Sequence, residues 1–238
     1  MRGFERLLVQ SLICGGLSLS GLAVSDEGRQ NDPLESFNRA VFVFNDTADR
    51  WVLKPIARGY RALTPDPVER GVSRMFGNLG EVLNTVNDVM QGKAGQAGND
   101  VGRLLVNSTV GLAGFFEVAE HWGMPKSEGE DFGQTFAVWG IGQGSYIVLP
   151  FLGPSTFRDA PGRALDSLLN PIGFIDHVPT RNQIYGADVL TGRAELLEAE
   201  KLISGDKYSF VRDVYLQRRE YLISDGQVED DFGDDEYQ

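Results

Sequence analysis

The residues that could make or break covalent bonds are few in this chain and poorly spaced for it. Its two histidines, His121 and His177, have no histidine or cysteine at ligand spacing, so the sequence predicts neither a zinc site nor a histidine base. Residues 153–157 read GPSTF and resemble the serine turn of lipases, but that turn needs a glycine where Phe157 stands. The sequence therefore predicts a protein that is not an enzyme and that holds no metal or other cofactor.

A second segment, GIGQG at residues 140–144, has the composition but not the spacing of a dinucleotide-binding turn. That turn needs a glycine at position 145, where Ser145 stands, and no phosphate-loop lysine follows. Nucleic acid is also disfavoured as a partner, because the net charge is −12 and no basic stripe could meet phosphate groups. We therefore expect these glycines to bend the backbone.

These glycines lie in a long segment, from Phe132 to Phe157, that has no charged side chain. A membrane-spanning helix needs roughly 20 apolar residues, which this segment could supply by length. Its glycines, together with Pro150 and Pro154, would break such a helix repeatedly. Two interpretations remain: a buried core segment, or an element beside a cavity at membrane depth, where irregular backbone is tolerated if protein or water satisfies it.

The elements that must position this segment are helical nearly throughout, so the predicted fold class is all-α, in a single domain. Apolar side chains recur at steps of three and four residues in the segments 56–63, 68–90, 99–110, 161–169, 180–203 and 206–222. The residues expected to face inward from the segment 99–110 are Val101, Leu104, Leu105 and Val110. We find no internal repeat and no convincing β-hairpin.

The first helix is predicted to begin after Asp32, with Pro33 in its first turn and Glu35 in the position of a capping box. The apolar residues that follow at helical spacing are Leu34, Phe37, Val41, Phe44, Ala48 and Trp51. Phe42 and Val43 add apolar surface outside that stripe. This pattern is typical of a helix with two packed faces or of one at a membrane interface, and core packing alone explains it almost as well.

The N-terminal segment has the composition of a secretory signal. Arg2 and Arg6 precede an uncharged apolar stretch that ends in small residues at Ala23 and Ser25. This pattern predicts a signal peptide at residues 1–25 and Sec-type export.

Cys14, the only cysteine, lies inside the predicted signal peptide, so the mature chain would have no disulfide and no thiolate site. Cleavage after Ser25 is the favoured interpretation, and lipidation of Cys14 is the alternative. Lipoprotein processing prefers a small residue directly before the cysteine and a leucine three before it, where this chain has Ile13 and Ser11.

The mature chain is predicted to divide into a helical domain, residues 26–223, and an acidic disordered tail, residues 224–238. From Glu229 onward the tail has several acidic residues and no basic one. Such a charge run is typical of a solvated segment.

Five segments of the chain resemble the MlaA family, also called VacJ, in the order in which that family carries them. They are NDPLESFNRAVFVFN at 31–45, NLGEVLNTVNDVMQGK at 78–93, GRLLVNSTVGLAGFFEVA at 102–119, FGQTFAVWGIGQGSYIVLPFLGPSTFRD at 132–159 and YSFVRDVYLQRREYL at 208–222. The resemblance implies a component of the system that keeps phospholipid out of the outer leaflet of the Gram-negative outer membrane.

The family resemblance also implies an architecture and partners. Members are ring-like helical assemblies in the inner leaflet of the outer membrane, facing the periplasm and associated with trimeric porins. A central amphipathic channel passes a mislocalised phospholipid to a soluble periplasmic carrier, MlaC. The alternative for this chain is a non-conducting scaffold that links porin and carrier without touching lipid.

On the family template, residues 132–157 supply a glycine-rich irregular hairpin beside the channel. Its flexible points would be Gly140, Gly142 and Gly144. Its apolar residues would be Phe132, Phe136, Trp139, Tyr146 and Leu149. The residues that fall in the helix expected at the membrane interface are Phe37, Asn38, Arg39, Phe42, Phe44 and Asn45. Family members are often lipoproteins, so without lipidation of Cys14 membrane residence would depend on the apolar helices and on porin contact.

Overall fold

The computed structural model describes residues 32–227, so the predicted signal peptide, Cys14 and most of the acidic tail lie outside the described residues. From Leu34 onward the described residues form one compact unit with nine α-helices. These are α1 (Glu35–Ala48), α2 (Lys54–Leu63), α3 (Asp66–Gln91), α4 (Ala94–Thr109), α5 (Val118–His121), α6 (Phe132–Val138), α7 (Asp159–Leu169), α8 (Val178–Ala199) and α9 (Lys207–Ile223). The predicted all-α class is confirmed.

Helices α1 and α2 follow one another through a π-helical turn, Asp49–Leu53. The chain has helical backbone angles on both sides of this turn, at Ala48 and at Lys54. Pro55 occupies the first turn of α2, where its missing N–H leaves a gap in the hydrogen-bond ladder. Prolines and single π-turns are both places where a helix is interrupted or bent.

Helices α3 and α4 form a helical hairpin around Gly92. The backbone of Gly92 is left-handed, with φ of +81°, which a glycine adopts without steric cost. The N–H of Lys93 donates to the carbonyl of Asp88 at 2.8 Å, and this bond closes the end of α3. So short a connection makes the two helices neighbours, and they pack along much of their length.

Between α6 and α7 the chain forms a small β-hairpin, although no segment has a convincing hairpin pattern in the sequence. Strand β1 (Tyr146–Leu149) pairs antiparallel with β2 (Gly153–Thr156), and Tyr146 lies opposite Thr156. Pro154 in β2 argues against a central strand, but a two-stranded sheet has only edge strands, where proline is tolerated. The loop between the strands has Phe151 in a left-handed conformation, with φ of +62°.

Two small clusters of buried apolar side chains lie in the part of the chain that the structure describes. One joins α2 and α8 through Ala57, Ala194 and Leu197. The other places Tyr146 and Val148 of β1 against Tyr208 of α9.

Candidate functional site

The space between α3 and α4 is filled by polar side chains. Those buried there are Asn78, Glu81, Asn87, Asp88, Asp100, Arg103 and Asn107. They recur at helical spacing, so each helix turns a polar stripe inward. The expectation that Val101, Leu105 and Val110 face inward is wrong, since they are 40%, 61% and 54% exposed. Leu104, the fourth residue of that prediction, is half-buried.

Large apolar side chains cover the outside of the molecule instead. Among those exposed are Phe37, Phe44, Trp51, Ile56, Leu63, Leu105, Phe116, Trp139, Phe151 and Phe174. Exposed large apolar side chains in such number are typical of a protein that contacts a membrane or another apolar partner. Within residues 32–227, no helix is both long enough and apolar enough to cross a bilayer.

Arg103 is the centre of the polar interior, with 1% of its surface exposed. Its guanidinium donates to Glu81 at 2.9 Å, to Glu117 at 2.6 Å and to the carbonyl of Met124 at 2.8 Å. Burial lowers the pKa of Arg103, but its hydrogen bonds to Glu81 and Glu117 outweigh it and raise the pKa overall. Arg103 is therefore a permanent buried charge that ties α4 to α3 and to the residues around α5.

Asp88 and Asp100 form a carboxyl pair in the same interior. Both are fully buried, and Ser127 donates to Asp100 at 3.1 Å. No described N–H or O–H group donates to Asp88, which would gain a hydrogen bond by sharing a proton with Asp100. Burial first, and then the charges of Asp100 and Glu130, raise the pKa of Asp88 to about 7, against a smaller lowering by Lys93. The pair therefore holds one proton under mildly acidic conditions.

The Asp88 pair should make stability depend on pH. The pKa of Asp88 is about 7 in the folded chain and roughly 3.9 when unfolded. Its contribution to stability is therefore complete below about pH 4 and lost as the pH rises through about 7. We expect Asp88→Asn, which keeps the shape and donates to Asp100 at every pH, to raise Tm more at about pH 8 than at about pH 5.

Circular dichroism melts of the detergent-solubilised chain at the two pH values would measure the effect of Asp88→Asn on Tm. Asp176→Asn is the matched control, because Asp176 is exposed on the surface. Asp166, whose pKa burial raises to about 6, is retained in every variant and so affects all curves alike. A pH profile of Asp88→Asn that runs parallel to that of the wild type would refute the shared proton.

A second buried ion cluster joins the starts of α6 and α7 to α9. Arg219 donates through Nη2 to Asp131 at 3.0 Å and to Asp159 at 3.2 Å, and the hydroxyl of Tyr215 donates to Asp159 at 2.7 Å. Burial acts to raise the pKa of Asp159, but Arg219, Tyr215 and Arg158 together hold it below its usual value. The cluster is thus charged on both sides at neutral pH.

Two glycines make the close approach at this ion cluster geometrically possible. A Cβ on Gly133 would lie 2.6 Å from Oδ1 of Asp159 and 2.7 Å from Nη2 of Arg219. A Cβ on Gly162 would lie 2.6 Å from the backbone nitrogen of Gly133. Helices α6 and α7 therefore touch backbone to backbone. In the sequence, neither glycine differs from one that serves a turn.

The side chain of Asn38 fastens β1 to α1. Its Nδ2 donates to the carbonyl of Tyr146 at 3.1 Å, and its Oδ1 accepts from the N–H of Val148 at 2.9 Å. The amide thus supplies one donor and one acceptor, as the backbone of a neighbouring strand would. Asn38 is fully buried.

Asn45 repeats this contact two helical turns further on. Its Nδ2 donates to the carbonyl of Leu149 at 2.9 Å, and its Oδ1 accepts from the N–H of Phe151 at 2.8 Å. A spacing of seven residues places Asn38 and Asn45 on one face of α1. Together they fix the hairpin to α1, and that spacing was the signal available in the sequence.

The remaining residues predicted for the interface helix point in different directions. Phe37 and Phe44 are exposed, and Phe44 meets the exposed hairpin residue Phe151 edge-on at 5.0 Å. Phe42 instead packs against Tyr208, with ring centroids 5.6 Å apart.

Arg39 belongs to the junction between α1 and α9. Its guanidinium lies 4.3 Å from the centre of the Tyr208 ring and donates to Glu35 at 2.7 Å and to Asp206 at 2.8 Å. Those two carboxylates raise the pKa of Arg39, Asp206 most strongly.

The three glycines predicted as flexible points are not equivalent. Gly140 and Gly144 have φ of +86° and +67°, in the region that favours glycine. Gly142 lacks such a φ, and a Cβ there would meet nothing within 4 Å. All three lie in the exposed connection between α6 and β1, residues 139–145.

The apolar residues predicted for the hairpin are distributed from core to surface. Phe132 and Tyr146 are buried, whereas Trp139 is exposed. Phe136 and Leu149 are half-buried.

The residues considered for covalent chemistry have structural contacts. Ser155 is fully buried in β2, and its Oγ approaches the carbonyl of Thr156 at 3.5 Å. His121 and His177 contact Glu117 and Thr180 on their own chain segments. Across residues 32–227, no group of three or more acidic, histidine or cysteine side chains is arranged to hold a metal ion.

Fold and site together define a class of protein: a helical protein with ion clusters buried between its helices and many large apolar side chains exposed, which suits an apolar environment. The chain belongs to the MlaA lipoprotein family, whose sequence profile matches residues 30–222. The resemblance of the five segments is thereby confirmed.

Related proteins align with this sequence over most of its length. The chain is 32% identical to the intermembrane phospholipid transport system lipoprotein MlaA of Escherichia coli (strain K12), over 94% of this chain and 91% of that protein. It is 28% identical to the protein of the same name from Haemophilus influenzae, over 92% of each. It is 33% identical to an uncharacterised protein of Rickettsia bellii, over 81% of this chain and 76% of that one.

A solved structure has the same fold. It is described as "Structural basis for maintenance of bacterial outer membrane lipid asymmetry" and superposes with a TM-score of 0.70 at 30% identity. The match covers 81% of this chain and 98% of that one.

Proposed function

We propose that this chain is the outer-membrane component of an intermembrane phospholipid transport system. It removes mislocalised phospholipid from the outer leaflet and so maintains the lipid asymmetry of the outer membrane. The observation that carries this proposal is the inverted distribution of side chains, with ions such as Arg103 inside and aromatic rings such as Phe37 outside. The relatives named for phospholipid transport and the structure described for lipid asymmetry support the same function.

Moving a phospholipid changes no covalent bond, so the protein needs surfaces rather than catalytic groups. The acyl chains need an apolar surface and the headgroup needs polar groups or water. In the proposed arrangement the apolar exterior seats the protein in the inner leaflet of the outer membrane, with its other side towards the periplasm. A central amphipathic channel in a ring of helices then carries the headgroup.

Two protein partners belong to this proposal. The exposed aromatic and aliphatic side chains suit contact with a trimeric outer-membrane porin as well as with lipid. On the periplasmic side, the lipid would pass to the soluble carrier MlaC. The chain would then be one component in the transfer of phospholipid between the two membranes.

The moving part in this proposal is the glycine-containing connection that precedes the hairpin, and the contacts of the hairpin define where motion can occur. Asn38 and Asn45 hold β1 against α1, so the strands cannot rotate freely. The connection 139–145 is exposed and has two residues with positive φ, Gly140 and Gly144. Motion would therefore be concentrated in that connection.

Measuring outer-leaflet phospholipid in living cells tests the proposed function. Cells lacking this chain should accumulate phospholipid in the outer leaflet, and the wild-type chain should clear it. The double variant Gly140→Ala/Gly144→Ala should fail to clear it, because alanine at a left-handed φ is strained by roughly 1–2 kcal/mol at each site. Gly142→Ala is the matched control and should clear phospholipid as the wild type does.

The outcomes separate transport from scaffolding. An absence of excess phospholipid in cells lacking the chain would overturn the transport function altogether. A double variant that is folded and retained by the porin, but still clears phospholipid, would show that the glycine connection is only packing. If porin and carrier were linked but purified chain bound no lipid, the non-conducting scaffold would be the better description.

A further inference from the structure

A basic pocket lies between α2 and the end of α8. Its volume is about 420 Å³. The charged residues that line it are Lys54, Arg58, Arg61, Glu198, Glu200 and Lys201. Four cations thus face two carboxylates, which leaves local positive charge on a chain whose net charge is −12.

The carboxylates of the pocket are already engaged by cations. Glu200 accepts from Lys54 at 2.9 Å, from Arg193 at 2.7 Å and from Lys207 at 3.2 Å. Burial acts to raise the pKa of Glu200, but these three donors outweigh it and hold the pKa at about 2. Glu198 accepts from Lys201 and from Arg61.

Arg58 is the cation of the pocket left for a ligand. Its side chain is exposed, and no hydrogen bond or ion pair joins it to any other residue between 32 and 227. It lies one turn from Lys54, so both side chains project along the same stripe of α2.

Helix α2 has three distinct faces. Lys54, Arg58 and Arg61, at steps of four and three, form its basic stripe. Ile56 and Leu63, which are 53% and 86% exposed, lie on the opposite side of the helix. The exposed residues between these two sides are all small: Pro55, Gly59 and Ala62.

A phospholipid has a charged phosphate at one end and apolar acyl chains at the other, which matches the basic and apolar sides of α2. The helix is roughly 10 Å across, so a lipid lying over the small residues would place its phosphate at the basic stripe and its acyl chains beside Ile56 and Leu63. A Cβ on Gly59 would meet nothing within 4 Å, so this face is open to a ligand. Guanidinium groups match the geometry of phosphate oxygens, which suits Arg58 to that end of the lipid.

We propose that the pocket around Arg58 binds the phosphate diester of a phospholipid headgroup. The inference rests on the proposed function, to which it adds a headgroup site on α2. Free phosphate has the same charged chemistry but no part that would use the apolar side of α2. The lipid is therefore the ligand that the helix fits.

Calorimetric titration of the full chain in detergent, with three probes, tests this site. The probes are a short-chain phosphatidylglycerol, inorganic phosphate, and a short-chain diacylglycerol that has the tails but no phosphate. We expect the phosphatidylglycerol to bind most tightly, and Arg58→Gln to weaken it roughly tenfold through the loss of charged hydrogen bonds. Arg58→Lys keeps the charge but loses the planar guanidinium, so its affinity for phosphatidylglycerol should lie between those of the wild type and Arg58→Gln.

Arg218→Gln is the matched control, because Arg218 is an exposed arginine on α9 outside the pocket. An equal loss in Arg58→Gln and Arg218→Gln would show a general charge effect and overturn the site. If inorganic phosphate bound as tightly as the lipid, the ligand of the site would be free phosphate and the proposal would be wrong. If diacylglycerol bound as tightly, the site would not recognise the phosphate group, and the proposal would again be wrong. A negative titration would overturn only the headgroup site, because the wild-type chain could still clear phospholipid in cells. The proposed function is tested separately, by whether cells lacking the chain accumulate phospholipid in the outer leaflet.

Discussion

Gly162→Ala should destabilise this protein severely, although alanine is the better helix former. A Cβ at position 162 would lie 2.6 Å from the nitrogen of Gly133 and 3.0 Å from the carbonyl carbon of Phe132. Both are backbone atoms, so no side chain can rotate away, and α7 would have to move off α6. We expect a loss of about 3 kcal/mol in the free energy of unfolding, which exceeds the gain of about 1 kcal/mol from helix propensity.

Gly98→Ala is the matched control for Gly162→Ala. Gly98 also lies inside a helix, α4, but a Cβ there would meet nothing within 4 Å. It gains the same helix propensity without the clash, so its free energy of unfolding should rise by about 0.5–1 kcal/mol. Urea unfolding of both variants in detergent, followed by circular dichroism, measures the difference. Similar stability of the two variants would mean that α6 and α7 are not in backbone contact.

The positions of the helices could be predicted from the sequence because helical period depends only on spacing along the chain. The periodic segment 68–90 corresponds to α3 (Asp66–Gln91), and the segment 99–110 overlaps α4 (Ala94–Thr109). The helical period does not show which side of a helix faces the interior of the protein. That choice depends on the surroundings of the protein, and here Arg103 and Asn107 face in while Leu105 faces out.

The spacing of Asn38 and Asn45 shows that they share a face of α1, but their partners in the hairpin could not be predicted, for a different reason. Asn38 and Asn45 bind backbone groups more than a hundred positions away, and backbone groups have no sequence signature. Glycines have a related ambiguity, since the residue type is the same whether it serves a turn or a close approach. The sequence drew attention to Gly140 and Gly144, whereas the close approach between the backbones of α6 and α7 is at Gly162.

The polar interior corresponds to a pattern in the sequence that is usually interpreted as a solvent-exposed face. Asp100, Arg103 and Asn107 stand at steps of three and four, which is a helical stripe as clear as an apolar one. A polar stripe normally indicates the solvated face of a helix. When the opposite face is as apolar as that of α4, the same stripe can be the buried one.

Arg103→Met should cost about 3–5 kcal/mol of the free energy of unfolding, because it removes one side of a buried ion cluster. Glu81 would be left buried without its cation, and the carbonyl of Met124 would lose its donor. Arg50→Met is the matched control: Arg50 also pairs with a carboxylate, Asp46, but its side chain is 67% exposed. That substitution should cost about 0.5 kcal/mol or less.

The double variant Arg103→Met/Glu81→Met decides why the cost arises. If the penalty comes from the unpaired charge of Glu81, removing that charge should recover more than half of the lost stability, since apolar replacements of buried ion pairs are often tolerated. If instead Arg103 matters mainly for its shape, the double variant should be as unstable as the single one or worse. Urea unfolding of the single, double and control variants measures this coupling. A single variant as stable as Arg50→Met would show that the polar interior is hydrated and that its ions are not dependent on one another.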